Sequence, residues 1–361
     1  MTAAGELTNR ILSTVREPVR ISGQELAVTV SVGIAIFPDD GETAADLQRE
    51  ADAAMYYAKS LGKNRAQAFS ENSVTLDKVR LENDLRQAIK EDWLKVHYQP
   101  KFTAEGELAG VEALLRLNHP THGSVPPVVF IPVAEATGLI VPIGAWVLNE
   151  VCRQIAEWRE RKLDPVVVAV NVSAVQIRCA GFAAAVEDCL ARHLVPPHCL
   201  ELELTESILV DSDSEEHRQM QLLRAMGICI SIDDFGTGFS SLSYLNRLQF
   251  DAVKLDRSFV QTIDTDDGAQ HVVRAMITVA KQLGLDVIAE GVETEAQRRQ
   301  LIAAGCPVMQ GYLFARPGLP DTIEPLLHTG RIPLEYAMAG DLCRLYKAVE
   351  PVSSRDSVPA C

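Results

Sequence analysis

Seven apolar runs in this chain end on, or carry near their ends, side chains able to ligate a cation or move a proton. VVVAV ends on Asn171, and the run from Leu200 carries Glu203 and stops at Thr205 and Glu206. ICISI ends on Asp233 and Asp234, the run from Ala252 on Lys254-Leu255-Asp256, VIA on Glu290 and VM on Gln310. An earlier run, 108–117, holds Glu112 and then Arg116. Taken singly, an Asn or Glu after a strand is a helix cap or turn former, and a Lys is a solvated cation. Taken together, these residues bring oxygen ligands and charges from successive strands to one rim. Glu112, Glu203, Asp233 and Asp234 would repel one another and retain protons unless cations lie among them. Carboxylates with one amide suit Mg2+ or Mn2+ better than Zn2+. Adjacent Asp233 and Asp234 suggest a carboxylate shared by two ions, and two ions clamping attacking and leaving oxygens suit phosphodiester hydrolysis. The segment 234–241 (DFGTGFSS) reads either as a βα turn with a serine cap or, beside that rim, as a lid or metal-linked loop.

Such residues need a scaffold that aims strand ends at one face. From Leu94 onward, short apolar runs (166–172, 200–204, 228–232, 252–255, 287–289, 308–309) alternate with amphipathic stretches such as 213–226 and 269–283. That punctuation implies parallel strands with crossover helices. Roughly 245 residues of it fit one (β/α)8 barrel, for which ~250 is typical and whose catalytic residues stand at the C-terminal strand ends. A doubly wound open sheet is the alternative, but no glycine-rich phosphate loop follows a first strand. Ahead of this, residues 1–70 read as helix, strand, helix, strand. There 28–37 (VTVSVGIAIF) is expected as a buried strand, 38–41 as a turn, and 44–60 as a helix ending at Gly62. Residues 71–90 read as a charged linking helix, and those past about 330 as a short helix with a polar tail.

The net charge of −15 argues against binding a nucleic-acid polymer, which needs clustered Lys and Arg. A small phosphate ligand stays open, because divalent ions reverse the sign of a carboxylate pocket. Eight cysteines without CxxC spacing argue against zinc ribbons and thioredoxin chemistry, and read as reduced core thiols. Neither a signal peptide nor a bilayer-spanning stretch is visible, so a cytoplasmic location is expected.

Glu112-Ala113-Leu114 stands within EALLR, between YQP (98–100) and NHP (118–120). FIPVAEATGLI (130–140), NVS (171–173), ELTES (203–207), DDFGTGFSSL (233–242), KLDRSF (254–259), AEGVET (289–294) and QGYLFARP (310–317) follow in order. Over about residues 85–328 these blocks resemble EAL domains. The resemblance implies a modified β/α barrel with one strand running against the others. It also implies hydrolysis of the bacterial second messenger cyclic di-GMP to linear pGpG with two Mg2+ or Mn2+ ions. It gives Glu112, Asn171, Glu203 and Asp233 to the first ion, and Asp233, Asp234 and Asp256 to the second. Lys254 would hold and polarise the attacking water, with Glu290 as general base or its metal-side partner. Glu206 would anchor the loop after Asp234. Gln99, Arg116, Glu293 and Gln310 would line the substrate pocket, Arg116 at a phosphate. Homodimerisation through this domain is also implied. The chain departs from the family at Leu117 (usually Trp), Phe239 (usually Tyr), Val175 and Ile177, and at Pro307 (commonly Asp), which bears on the aim of Gln310.

SVGIA (31–35), ADAAMYYAK (51–59) and GKNR (62–65) resemble the C-terminal half of a GGDEF domain, the diguanylate cyclase fold. The sequence starts past the place of the GGDEF motif and contains no Gly-Gly pair, so no cyclase activity is expected. The expected organisation is a partial GGDEF segment (1–70), a linking helix (71–84), the EAL domain (85–328) and a tail (329–361). Two other functions compete: a catalytically weak or dead EAL receptor for cyclic di-GMP and, from barrel analogy alone, a metal-dependent lyase or aldolase. The full set of ligands and the DDFGTG block favour the enzyme.

Overall fold

The computed structural model describes residues 3–16, 19–21, 24–26, 29–60, 66–68, 71–121, 123–163, 167–205, 214–236 and 250–331. The chain divides into two compact units, residues 1–95 with 115–143, and residues 96–114 with 144–361.

The first unit opens with helix Ala3–Arg16 and the antiparallel pair β1 (Val19–Ile21) and β2 (Gln24–Leu26). β3 (Val32–Ile34) pairs in parallel with β4 (Ala66–Ala68), and helix Ala44–Ser60 connects them. That helix lies so close to β3 that a β-carbon at Gly33 would overlap the Ala51 carbonyl oxygen. Helix Glu71–Ala88 packs against helix Pro127–Ala136. The buried strand expected over 28–37 is a correction. Among the described residues only Val32–Ile34 is strand, it is half-buried, and Ile36 and Phe37 are exposed. β4 is its one strand partner among the described residues, and two paired strands cannot bury both faces of so apolar a run.

The second unit is a barrel. Its strands are β5 (Leu94–Thr103), β6 (Leu108–His119) and β8 (Val168–Val172); residues 94–95 of β5 and 115–119 of β6 fall in the first unit, as does the short β7 (Gly123–Val125) that pairs with the end of β6. Then come β9 (Leu200–Thr205), β10 (Cys229–Phe235), β11 (Ala252–Leu255), β12 (Asp286–Ala289) and β13 (Val308–Met309). From β8 to β13 each strand pairs in parallel with the next, and β6 is parallel to β8. β13 meets β5 antiparallel, and a β5–β6 pairing closes the ring, which removes the open-sheet alternative.

Alternation along each strand divides inside from outside. On β9, Leu200, Leu202 and Leu204 are fully buried on one face while Glu201 and Glu203 occupy the other. Four of the helices that follow strands start from side-chain caps, Asp256 capping one of them. Ser173 with Gln176 and Thr294 with Gln297 form capping boxes, and Ser214 accepts from the His217 amide. Pro307 sits just ahead of β13, where a missing N–H breaks no ladder bond. Its carbonyl accepts from Ala104 N at 3.0 Å, and Val308 and Met309 stay in register with Ile288 and Ala289. Gln310 N then donates to Ala289 O at 2.8 Å, so Gln310 is held in place despite the proline.

Candidate active site

Lys254, on β11, is 1% exposed and lies at the centre of the barrel's polar cluster. Its Nζ is 2.6 Å from Glu203 Oε2, 2.6 Å from Glu290 Oε1, 3.1 Å from Asp233 Oδ1 and 3.6 Å from Glu112 Oε1. Burial pushes a lysine pKa down, but the carboxylates, Glu112 and Glu203 first, override it and hold this ammonium well above its usual range. Register explains the convergence. Asn171 stands opposite Glu203 on neighbouring strands, Glu203 opposite Ser231, and Asp233 one step beyond Ile232, which faces Val253.

Glu112 accepts from Asn171 Nδ2 at 2.7 Å and from Gln310 Nε2 at 2.6 Å. Gln310 Nε2 also donates to Gln99 Oε1 at 3.1 Å, and Gln99 Nε2 to Ala315 O at 3.0 Å. Burial and the charge of Glu203 raise the Glu112 pKa. Burial also works against Glu203 ionisation, but Lys101 and Lys254 outweigh it and bring its pKa down to about 2. Glu290 is pushed up to about 8, by burial first, with Lys254 opposing and Glu112 and Asp233 adding to the rise. Its approach to Lys254 is an ion pair without hydrogen-bond angles, and Glu290 Oε1 and Gln310 Oε1 are both buried with no hydrogen-bond partner.

Asp233 and Asp234 form a β-bulge. The pairing of β10 with β11 runs Ile232–Val253 and then Phe235–Leu255, so the bulged strand holds one extra residue. Asp234 takes it up in the left-handed region, φ 55°, which aspartate tolerates better than most side chains. Although Asp234 is exposed overall, its carboxyl is partly shielded. Burial, then Asp233 and Asp256, push it up to about 6. Asp256 also caps helix Arg257–Gln261 by accepting from Ser258 N at 3.0 Å. The plain capping role and closeness to Asp234 therefore coexist in one residue.

A cavity of ≈ 220 Å³ opens beside this cluster, lined by Gln99, Glu112, Leu114, Glu290, Glu293, Gln310 and Tyr312 among others. At its rim Arg257 Nη2 donates to Glu293 Oε1 at 2.8 Å. Arg257 lies over Gly291 (φ 67°), where a β-carbon would overlap the arginine chain. Arg116 belongs to the first unit, where its Nη1 donates to Leu115 O at 3.0 Å. Glu206 and the loop 237–241 lie outside the described residues.

One residue of the cluster has no counterpart in the sequence reading. Lys101, 3% exposed, donates to Glu203 Oε1 at 2.8 Å and lies 3.6 Å from Glu201 Oε2. The signal was available, since Lys101 is two residues past Gln99 on β5 and period-2 alternation puts both on one face.

Among the described residues no three or more His, Cys, Asp and Glu side chains stand as a ready cation cage, because Lys254 draws the carboxylates onto itself. The donor chemistry nevertheless fits divalent cations. Glu112, Glu203, Asp233, Asp234, Asp256 and Glu290 outnumber the ammoniums of Lys101 and Lys254. Burial first, and then the crowding of these carboxylates, holds protons on Asp234 and Glu290.

Comparison with known proteins agrees with this picture. The EAL domain model matches residues 82–317, and the model for the diguanylate cyclase GGDEF domain matches residues 1–65. The bifunctional diguanylate cyclase/cyclic di-GMP phosphodiesterase MucR of Pseudomonas aeruginosa is 44% identical over 319 residues, 87% of this chain and 46% of MucR. Cyclic di-GMP phosphodiesterase PdeR of Escherichia coli is 41% identical over 314 residues, 86% of this chain and 47% of PdeR. The chain thus spans about half the length of the curated relatives it matches. Among solved structures, the PaMucR phosphodiesterase in its c-di-GMP complex aligns with TM-score 0.65 and 44% identity, over 68% of this chain and 99% of that one. EAL phosphodiesterases are metal-dependent as a class, in keeping with the carboxylate excess around Lys254. With a closed barrel, one reversed strand and the EAL tripeptide's Glu112 inside its polar cluster, the chain belongs to the EAL domain family.

Proposed function

We propose that this chain hydrolyses cyclic di-GMP to linear pGpG with two Mg2+ or Mn2+ ions. The observation that carries the reading is the buried cluster of Glu112, Glu203, Asp233 and Glu290 round Lys254, beside an open cavity. Glu112, Asn171, Glu203 and Asp233 would hold one ion, and Asp233, Asp234 and Asp256 the other. Bound there, the ions supply positive charge that offsets the carboxylate excess and polarises the water and the phosphate. Lys254 orients the attacking water through its N–H donors. Glu290, beside Lys254 and on the cavity wall, accepts that water's proton. The water oxygen bonds to phosphorus as the P–O3′ bond breaks. The departing O3′ takes up a proton, leaving a 5′-phosphate and a 3′-hydroxyl. Gln99, Gln310 and Glu293 would position the dinucleotide by hydrogen bonds.

A receptor that binds cyclic di-GMP without turnover draws on one observation, the ion pairing of Lys254 to carboxylates that ions would otherwise occupy. Incubation with cyclic di-GMP and Mg2+, followed by chromatography, separates the two. Formation of pGpG that stops in excess EDTA is the expected result. Binding without pGpG, in Mg2+ and in Mn2+, would establish the receptor, and full hydrolysis in EDTA would overturn the two-ion reading.

A further inference from the structure

Glu203 is gripped from two sides. Its Oε2 accepts from Lys254 at 2.6 Å and its Oε1 from Lys101 at 2.8 Å, and all three side chains are buried. The two lysines differ in where they come from. Lys254 stands on β11, two strands from β9. Lys101 stands on β5, the reversed strand, and its side chain reaches Glu203 across the barrel interior. Lys101 touches none of the other proposed ligands. Its second neighbour is Glu201 Oε2 at 3.6 Å, and Glu201 is in turn tied to Ser231 Oγ at 2.6 Å. Lys101 is thus fixed by groups outside the proposed chemistry and commits one oxygen of a residue inside it.

We infer that Lys101 is a positioning residue that sets which divalent cation the site accepts, by keeping Glu203 a one-oxygen ligand. The inference rests on the proposed two-ion reading. Both oxygens carry an ammonium, Lys254 on Oε2 and Lys101 on Oε1. In the proposed reaction Lys254 turns to the attacking water and yields Oε2 to an incoming ion, whereas Lys101, held also by Glu201, stays on Oε1. A carboxylate that can offer a single oxygen suits the compact octahedral shell of Mg2+ and Mn2+. Ca2+ takes six to eight oxygens and gains from bidentate carboxylates. Freeing Oε1 would let Glu203 chelate with both oxygens and shift the preference toward Ca2+.

Removing Lys101 also removes a positive charge, which strengthens binding of any divalent cation. That term is the same for two ions of equal charge, so it cancels in the ratio of Ca2+ to Mn2+ affinity, while the change in coordination does not.

The test is Mn2+ binding to the full chain without substrate, read by the electron paramagnetic resonance signal of free Mn2+, with Ca2+ as competitor. In Lys101→Met the Ca2+/Mn2+ affinity ratio should rise at least ~10-fold, on the scale of losing a group that orients a ligand. Should that variant fail to fold, Lys101→Met with Glu201→Gln removes one buried positive and one half-buried negative charge together, and the same rise is expected. An unchanged ratio in a folded variant overturns the role of Lys101. Failure of the wild-type chain to bind Mn2+ overturns instead the two-ion reading beneath it.

Discussion

The two units are built from the same kinds of element and treat charge in opposite ways. In the barrel, Lys101, Lys254, Glu112 and Glu203 are all at most 5% exposed. In the first unit the ion pairs of helix Ala44–Ser60, Arg49 with Asp46 and with Glu50, remain at the surface. A closed ring satisfies its own backbone ladder and leaves an interior that strands can fill from every side, so a charge there finds a partner on another strand. Two short two-stranded sheets offer no such interior. Charge burial in this molecule follows from closure, and closure decides where chemistry can be placed.

The strongest way to break that contrast is Lys254→Met. It strands several buried carboxylates, and removing one partner of a buried ion pair costs about 3–5 kcal/mol. Chemical denaturation should show that loss in the barrel transition, and turnover of cyclic di-GMP should fall at least ~100-fold. A variant that unfolds and turns over like the wild type would show the cluster to be incidental.

Gly33→Ala is the matching change in the first unit. The new methyl meets the Ala51 carbonyl, and overpacking of this kind costs about 1–3 kcal/mol. Hydrogen exchange should increase in helix Ala44–Ser60, with cyclic di-GMP hydrolysis unchanged. Lost hydrolysis would mean that the two units are coupled.

Asp234→Asn sharpens the comparison within the barrel through pH. Asp234 is raised from 3.8 to about 6, so the folded chain holds its proton more tightly than the unfolded one. Stability linked to this group is full below about 3.8 and is lost as pH rises through about 6. In EDTA the Asn variant should therefore melt higher than wild type at pH 7, by a margin that shrinks toward pH 4. A margin independent of pH would mean that Asp234 is not the group under strain.

Much of this was legible in the sequence because strand ends are written in it. The run 252–255 is β11 residue for residue, and 308–309 is β13. Asn171, Glu203, Asp233, Lys254, Glu290 and Gln310, each within or just after an apolar run, lie in one network of polar contacts with Glu112. The rest was hidden by long-range pairing. Lys101 reads as a solvated lysine until β5 is known to run backwards across from Glu203, 102 residues away. The bulge at Asp234 depends on how β10 meets β11, which no local pattern records. The stretch 28–37 read as a full strand because its apolar residues were visible and the number of its partners was not.

The reversed β5 has a consequence for how the molecule is made. It is the first barrel strand to leave the ribosome and the last to find its second neighbour, because β13 lies some 200 residues further along. Until β13 is released, β5 and β12 each present an unpaired edge, the feature through which sheets join with strangers. The donor that links Glu112 to Gln99 is Gln310, one residue past β13. A nascent chain that stops short of it carries every proposed metal ligand and still lacks the clasp that holds Glu112 against the barrel's seam.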